Sequence, residues 1–303
     1  MGQGHSHAPP DSRRRLAVVL ALTVTVLVVE VVGAVVSGSL ALLADAAHML
    51  TDVAGLSMAL VVAAIVRRPP SDTHTWGLRR AEVLGAAAQA TLLLAVGGFV
   101  LVEAVRRLDE PAEVTGSAML VFGAVGLLGN VVGMTILAAG GREHHDLNMR
   151  AAYLEVVADA LGSVAVIVAA VLVATTGWDR ADPVASLVIV ALIVPRTLHL
   201  LRETTHVLLE ATPRGLALAD VRARLLAHDH VREVHDLHVS SVATGLPTLT
   251  AHLVVDDSCF HDGHLATLLD QLQAALADDF DVAHSTLQFE RAGHAAHEHD
   301  LHP

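Results

Sequence analysis

The sequence predicts an α-helical membrane protein with six transmembrane helices, followed by a small α+β domain. Residues 16–209 contain long apolar runs, whereas the later residues have the composition of a globular domain. The 303-residue chain is 53% hydrophobic and 17% charged, with a mean hydropathy of +0.55, while soluble domains carry about 25% charged residues. We expect four parts: a disordered cytoplasmic tail over 1–15, a membrane domain over 16–209, a cytoplasmic α+β domain over 210–291 and a His-rich tail over 292–303.

Six apolar segments are each close to the ~20 residues that a bilayer requires. Gly, Pro, Asp and Arg residues separate them, which is typical of turns between helices. The predicted spans are Leu16–Val36, Leu40–Val66, Val83–Leu108, Thr115–Ala139, Ala151–Thr175 and Pro183–Leu201.

The distribution of arginine predicts the orientation of the spans. One side has nine arginines near the predicted spans and the other has three. The larger group is Arg13, Arg14, Arg15, Arg67, Arg68, Arg79, Arg80, Arg142 and Arg150, and the smaller is Arg106, Arg107 and Arg180. The positive-inside rule therefore places both termini in the cytoplasm. The expected location is the bacterial plasma membrane.

The region after the spans shows the periodicity of a small mixed or antiparallel sheet with helices on one face. Its predicted order is α-β-β-α-β. The elements are a helix over Leu216–His228, strands over Val234–Val242 and Thr248–Val255, a helix over His264–Ala277 and a strand over Thr286–Glu290.

Charge and motifs argue against several functions. The formal net charge of −13 does not suit a nucleic-acid partner. No Walker sequence indicates a nucleotide site, so a gradient must drive any transport. No His-Glu-x-x-His signature indicates a zinc hydrolase, and we do not expect an enzyme. The alternative from another class is a membrane metal sensor whose soluble domain reports to a partner.

Polar residues in the second and fifth spans are the candidate site, because an ionisable residue in a membrane is costly. Asp45, His48 and Asp52 stand at i, i+3 and i+7 and share one helix face. Glu155 and Asp159 are four residues apart and also align. Neither span contains an arginine that could neutralise these acids. One imidazole and several carboxylates can form a tetrahedral zinc site.

Other polar residues of the spans have less specific interpretations. For Asp45 two roles remain open, a ligand that gates the site or a helix-packing residue. Glu30, Gln89 and Asn130 are single polar groups in other spans, for which we predict interhelical hydrogen bonds.

At these residues the sequence resembles the cation diffusion facilitator family of metal/proton antiporters. The motifs follow in order along nearly the whole chain: SGSLALLADAAHMLTD, HTWGLRRAEVLGA, LNMRAAYLEVVADALGSVAVIVAA, TGWDRADPVASLVI and LLEATP. The resemblance implies a homodimer in the lipid bilayer, with a metallochaperone-like cytoplasmic domain. It also implies a transport site between the second and fifth helices, formed by His48, Asp52, Glu155 and Asp159.

One residue departs from the zinc-transporting branch of the resembling family. That branch has His-x-x-x-Asp in both helices; this chain keeps it at His48 and Asp52, but has Glu155 in place of the second His. An oxygen donor replaces a nitrogen donor, which favours harder ions. Zinc remains the expected cargo, with protons as the counter-ion, and the alternatives are cobalt, iron(II), cadmium and manganese.

Histidines of the soluble domain are candidates for a second, regulatory zinc site. The resemblance implies metal binding at positions similar to His235, His252 and either His261 or His264. His284 precedes the last strand and joins this set. The closing ligands near that strand correspond only roughly to Gln288 and Glu290.

Overall fold

The computed structural model describes residues 10–65, 70–138, 147–261 and 263–295, and within its helices some side chains are not described. It divides into two compact units. We call Met1–Val61 with Ala88–Leu201 the helical unit, and Val62–Ala87 with Arg202–Pro303 the sheet unit. The predicted membrane domain (16–209) and cytoplasmic domain (210–291) have other boundaries than these two units, and they stay predictions.

Six long helices lie in the described part of the first 208 residues, as the apolar pattern predicts. They are α1 (Pro10–Ser37), α2 (Leu40–Ile65), α3 (Arg80–Asp109), α4 (Gly116–Ala138), α5 (Leu147–Thr176) and α6 (Ala181–Leu208). Counting only the residues that are described, five contain a segment long and apolar enough to cross a membrane: Val18–Ser37, Arg80–Asp109, Gly116–Ile136, Val156–Thr176 and Ala181–Leu208.

Large apolar side chains point outward from these helices. Phe99, Leu128, Leu161 and Leu192 each expose 58–66% of their surface. In water such a surface would be an aggregation hazard, whereas in lipid it has an apolar solvent. The helical unit is therefore built for a bilayer.

The end of α6 differs from the prediction. The sequence suggested an end at Leu201, but the helix continues to Leu208, and Leu209 N donates to Thr205 O at 2.9 Å. Residues 202–208 are mostly polar, so hydropathy ends before the backbone hydrogen bonds do. The apolar pattern marks the membrane segment and not the length of the helix.

A tight turn joins α1 to α2. Gly38 has a φ of 72°, a conformation that glycine adopts without a Cβ clash. Ser39 begins α2 as its N-cap, because its Oγ accepts from Leu42 N at 3.1 Å. Thr115 N, just before α4, donates to Ser37 O at 3.0 Å. We call this the α1–α2 end of the helical unit.

The sheet unit contains the predicted α-β-β-α-β order. It has α7 (Leu218–Leu226), β1 (Val231–Ala243), β2 (Leu246–Val255), α8 (His264–Phe280), β3 (His284–Glu290) and α9 (Ala292–Ala295). The strands lie in the order β1-β2-β3. β1 and β2 are antiparallel, whereas β2 and β3 are parallel because α8 crosses between them. Of the two predicted alternatives, an antiparallel or a mixed sheet, the structure has the mixed one.

The sheet unit has an apolar core formed by its own helices and strands. Leu225 of α7, Leu253 of β2 and Leu272 of α8 are buried in one cluster with side chains of all three strands. The apolar faces of the helices pack on the apolar face of the sheet and are removed from water. This burial stabilises the unit without a contribution from the membrane.

Candidate functional site

His48 and Asp159 meet between α2 and α5. Both are buried, and His48 Nε2 lies 3.3 Å from Asp159 Oδ1. Asp52 follows His48 by four residues on α2, and Glu155 precedes Asp159 by four on α5. Their side chains lie outside the described residues. A spacing of four residues places the members of each pair on the same face of an α-helix.

Asp45 lies one turn before His48 and also contacts α5. It is buried, and its Oδ2 accepts from Ser163 Oγ at 3.3 Å. A Cβ on Gly162 would come within 2.5 Å of Asp45 Oδ1, so only glycine leaves room for this carboxylate. This contact gives Asp45 a packing role; its role as a ligand stays a prediction.

The single polar residues of other helices behave differently from one another. Gln89 Nε2 donates to Thr51 O at 2.5 Å, and Asn130 Nδ2 donates to Ser163 Oγ at 3.3 Å. The predicted interhelical hydrogen bonds are thus confirmed for both. The prediction is wrong for Glu30, because neither of its oxygens has a hydrogen-bond partner among the described residues.

Asp182 is a buried structural residue that sequence reasoning missed. It is the second residue of α6 and accepts hydrogen bonds from Ser39 Oγ at 2.5 Å, Leu40 N at 2.9 Å and Ala41 N at 3.1 Å. A carboxylate at a helix N-terminus satisfies open N–H groups and the helix dipole. Asp182 thus caps α2 from another helix. Its place in a Gly- and Asp-rich break made it look like loop punctuation.

The buried carboxylates of the helical unit have a shortage of positive partners. Neither Glu30 nor Asp45 forms an ion pair with any described residue, and Glu30 lies within electrostatic reach of Asp45 and Asp159. A buried charge is costly unless it is paired or binds a metal. Three acids around one imidazole therefore favour a cation from outside the protein.

The sheet unit brings together one side chain from each strand. His235 on β1, His252 on β2 and Glu290 on β3 offer ligand atoms that all lie within 4.8 Å of one another. His235 Nε2 is 3.3 Å from Glu290 Oε2, and His252 Nδ1 is 3.0 Å from Glu290 Oε1. Two imidazoles and one carboxylate suit zinc, with a fourth position left to another ligand.

A bulge in β1 shapes this cluster. His235 pairs directly with His252 across the strands, and the register shifts between His235 and His238. Asp236 inside the bulge has a φ of 47° and lies with its Oδ2 3.7 Å from His252 Nε2. Bulges re-aim side chains at sites, and this one turns an additional carboxylate toward His252.

Three of the candidate histidines lie elsewhere. His261 is exposed, with its Nε2 3.5 Å from an Arg291 nitrogen; the His264 ring lies 5.0 Å from that of His230, and the His284 ring lies 4.7 Å from Trp76. Glu290, by contrast, belongs to the cluster, although the sequence placed it only roughly. Its signal was its position at the end of the last strand.

Long apolar helices with a buried imidazole–carboxylate pair between two of them are typical of an integral membrane protein. The particular family follows from two matches. The cation efflux transmembrane domain matches residues 16–209, and the cytoplasmic domain of cation efflux proteins matches residues 213–292. The chain belongs to this family, and the resemblance to the cation diffusion facilitators is confirmed.

Curated relatives match along nearly the whole chain. The metal cation efflux system protein CzcD of Cupriavidus metallidurans is 42% identical over 96% of this chain and 91% of its own. The zinc transporter ZitB of Escherichia coli is 40% identical over 94% and 90%. A cadmium, cobalt and zinc/H(+)-K(+) antiporter of Bacillus velezensis is 33% identical over 99% and 94%.

One solved structure matches the end of the chain. It is the metal-bound C-terminal domain of the CzcD transporter, 37% identical, covering 25% of this chain and 99% of that one, with a TM-score of 0.23. From the family and the relatives, the protein is a metal cation efflux transporter.

Proposed function

We propose that the protein exports a divalent transition metal from the cytoplasm in exchange for protons, and that zinc is its main ion. The observation that carries the proposal is the buried pair of His48 and Asp159, 3.3 Å apart between α2 and α5. Asp52 and Glu155 complete the ligand set from the next turns of the same helices. Relatives named as a zinc transporter and as a zinc antiporter support the same cargo.

The choice of ion follows from the donor atoms. One imidazole nitrogen with carboxylate oxygens accepts zinc in tetrahedral geometry. The carboxylate of Glu155 makes the set richer in oxygen, which brings cobalt, iron(II), cadmium and manganese closer to zinc. These ions are the second candidates for the same transporter.

Proton exchange follows from the same atoms. A metal binds only to neutral imidazole and ionised carboxylate, so metal and protons compete for His48 and the acids. The helices release the metal outward and return with protons. We assign the coupling to His48, because histidine is the side-chain type whose ordinary change of charge falls nearest to neutral pH. In this proposal the proton gradient supplies the energy for export.

Assembly and orientation complete the proposal. The protein is a homodimer in the bacterial plasma membrane, with both termini cytoplasmic, and the family of its C-terminal domain takes its name from dimerisation. The His235, His252 and Glu290 cluster binds cytoplasmic metal and raises transport activity when metal is plentiful.

The test is metal uptake by proteoliposomes with an imposed pH gradient. Zinc, cobalt, iron(II), cadmium and manganese are offered separately, with a fluorescent pH probe inside. We expect zinc to move fastest and to collapse the gradient. Metal movement that does not change when the gradient is removed would contradict proton exchange. A chain that binds metal but does not transport it would favour the metal-sensor alternative. Metal-dependent hydrolysis by the purified chain would favour an enzyme.

A further inference from the structure

Four polar side chains on four helices lie one turn from the His48 and Asp159 pair, toward the α1–α2 end. They are Glu30 on α1, Asp45 on α2, Asn130 on α4 and Ser163 on α5, and we call them the oxygen cluster. Each is at most 5% exposed. Asp45 precedes His48 by three residues and Ser163 follows Asp159 by four, which fixes the direction of the step.

Hydrogen bonds order three members of the oxygen cluster and leave out the fourth. Asn130 Nδ2 donates to Ser163 Oγ, and Ser163 Oγ donates to Asp45 Oδ2, each at 3.3 Å. Glu30 is fully buried, and neither of its oxygens has a partner among the described residues. A protonated Glu30 would also lack an acceptor for its O–H, so neither protonation state satisfies it.

Glycine on α4 opens the space that Glu30 occupies. A Cβ on Gly126 would come within 2.3 Å of Glu30 Oε1 and 3.4 Å of Ser163 Oγ. Glu30 and Ser163 therefore border the same point from α1 and α5. Any side chain at 126 would displace the carboxylate, so this glycine keeps Glu30 directed at the cluster.

We propose that Glu30 and Asp45, with Ser163 and Asn130, form a second cation site, in which the transported divalent ion stops between the His48 site and the α1–α2 end. The inference rests on the proposed export function. A cation there would satisfy both oxygens of Glu30 and the negative charge of Asp45 together. The donors are all oxygen, and hard ions prefer such donors.

The oxygen cluster would then act as a release stage. Zinc held by His48 has a nitrogen ligand, whereas one turn further it meets only oxygens, to which it binds less strongly. A path whose ligands weaken toward the exit moves the ion forward and limits its return. Asp45 would border both sites, because it lies one turn from His48 on α2 and accepts a hydrogen bond from Ser163 of the oxygen cluster.

The binding test uses the full-length chain in detergent with His48→Ala and Asp159→Ala, so that the first site is silent. Mn²⁺ and Zn²⁺ are the probes, and equilibrium binding is compared with and without the additional change Glu30→Gln. We expect Glu30→Gln to remove one bound Mn²⁺ per protomer. Ions held by other histidines or carboxylates remain in both chains and cancel. Equal binding by the two chains would overturn the proposal.

A steric variant tests the site without removing a ligand. Gly126→Ala fills the space beside Glu30, whereas Gly133→Ala on the same helix meets its nearest neighbour, Val156, at 3.4 Å. In the same background we expect Gly126→Ala to weaken Mn²⁺ binding by at least about tenfold, and Gly133→Ala to leave it unchanged. Equal affinities in folded Gly126→Ala and Gly133→Ala chains would overturn the site.

Because both tests measure binding, their outcome is separate from that of the export function. A wild-type chain that moves no metal in vesicles would defeat the export proposal, whichever ions it binds. A wild-type chain that transports zinc, with no Mn²⁺ lost on Glu30→Gln, would defeat the second site alone.

Discussion

Carboxylates in the two units have opposite surroundings. In the sheet unit, Asp256 accepts from both Nε and a terminal nitrogen of Arg232, at 2.6 and 2.8 Å, and from His230 at 3.0 Å. The hydrogen bonds from Arg232 first, and from His230 second, hold the pKa of Asp256 below its ordinary value. In the helical unit, Glu30 and Asp45 are buried and form no ion pair with any described residue.

The difference separates two uses of the same chemical group. Where an arginine is fixed beside a carboxylate, the pair belongs to the fold, and no further charge is needed. Where the protein supplies no cation, a mobile one must neutralise the acid, at least for part of a working cycle. Under the proposed function, the transported cation is this mobile charge.

The largest effect on zinc uptake should come from removing a carboxylate that is proposed to bind the transported ion. We expect Asp159→Ala or Asp52→Ala to reduce zinc uptake by proteoliposomes to the background of empty vesicles, since each removes a charged ligand from a site with few donors. Asp179→Ala, in the loop between α5 and α6, is the matched control and should transport normally. Normal zinc uptake by vesicles that contain folded Asp159→Ala protein would contradict this difference between the carboxylates of the two units.

A change of donor should shift selectivity and not abolish transport. Glu155→His adds a second imidazole, so zinc should gain over manganese and cobalt by about tenfold in competition uptake. Glu155→Gln removes the charge without adding nitrogen and serves as the control. If Glu155 only orients His48, Glu155→His will weaken every ion alike, and an unchanged order of ions would exclude the ligand role.

The sheet-unit cluster should bind metal but contribute less to flux. We expect His252→Ala to lose one zinc ion per protomer and to lower uptake at saturating zinc by no more than about twofold, because the transport ligands are intact. His261→Ala should keep that ion, since His261 lies outside the cluster. Loss of the ion in His261→Ala with retention in His252→Ala would reverse this assignment.

A carboxylate paired inside the protein should affect stability and not transport. Because the pKa of Asp256 is lowered in the folded state, its stabilising effect is present above the ordinary value of about 3.9 and is lost as pH falls through the lowered value. Asp256→Asn should therefore lower the unfolding temperature of the sheet unit at pH 7, and the gap should close in acid. Asp270→Asn on α8 is the control. A constant gap at every pH would contradict the linkage.

The smallest effect is expected from the C-terminal tail. A chain that ends at Arg291 should transport zinc within about twofold of wild type, because the sequence after Arg291 has one large apolar residue, Leu301, among small and polar ones. A full-length chain with its tail histidines changed to Ala is the companion variant. Complete loss of uptake in the well-expressed truncation would show that the tail takes part in transport.

Much of the fold could be predicted from the sequence because lipid and sheet pleats both impose strict patterns. The six predicted apolar segments lie within a few residues of helices α1 to α6. The five elements predicted for the soluble domain likewise match α7, β1, β2, α8 and β3. Helix spacing aligned His48 with Asp52 and Glu155 with Asp159, and the family resemblance implied that the two pairs meet. Interactions between distant segments could not be predicted. The Asp182 cap depends on how α6 meets α2, and Glu290 joins His235 and His252 only because α8 returns β3 parallel to β2.

The missed residues share a physical reason. Periodicity reports which side of an element is apolar, but it does not report which polar atoms on different elements share a partner. Glu30 looked like Gln89 and Asn130 on this basis, as one polar group in an apolar run. Only the packing of α1 against α4 distinguishes it, because both carboxylate oxygens of Glu30 are buried there beside Gly126 without a hydrogen-bond partner among the described residues.

The hydrogen bonds of Asp182 to the first residues of α2 make that helix a lever with a fixed end. Any tilt of α2 that keeps these bonds turns it about Leu40. At a rise of about 1.5 Å per residue, His48 lies roughly 12 Å from this point and Ile65 roughly 37 Å. A tilt of about 10° then moves His48 by roughly 2 Å and Ile65 by roughly 6 Å. Small displacements at His48 thus correspond to large ones at the far end of the helix.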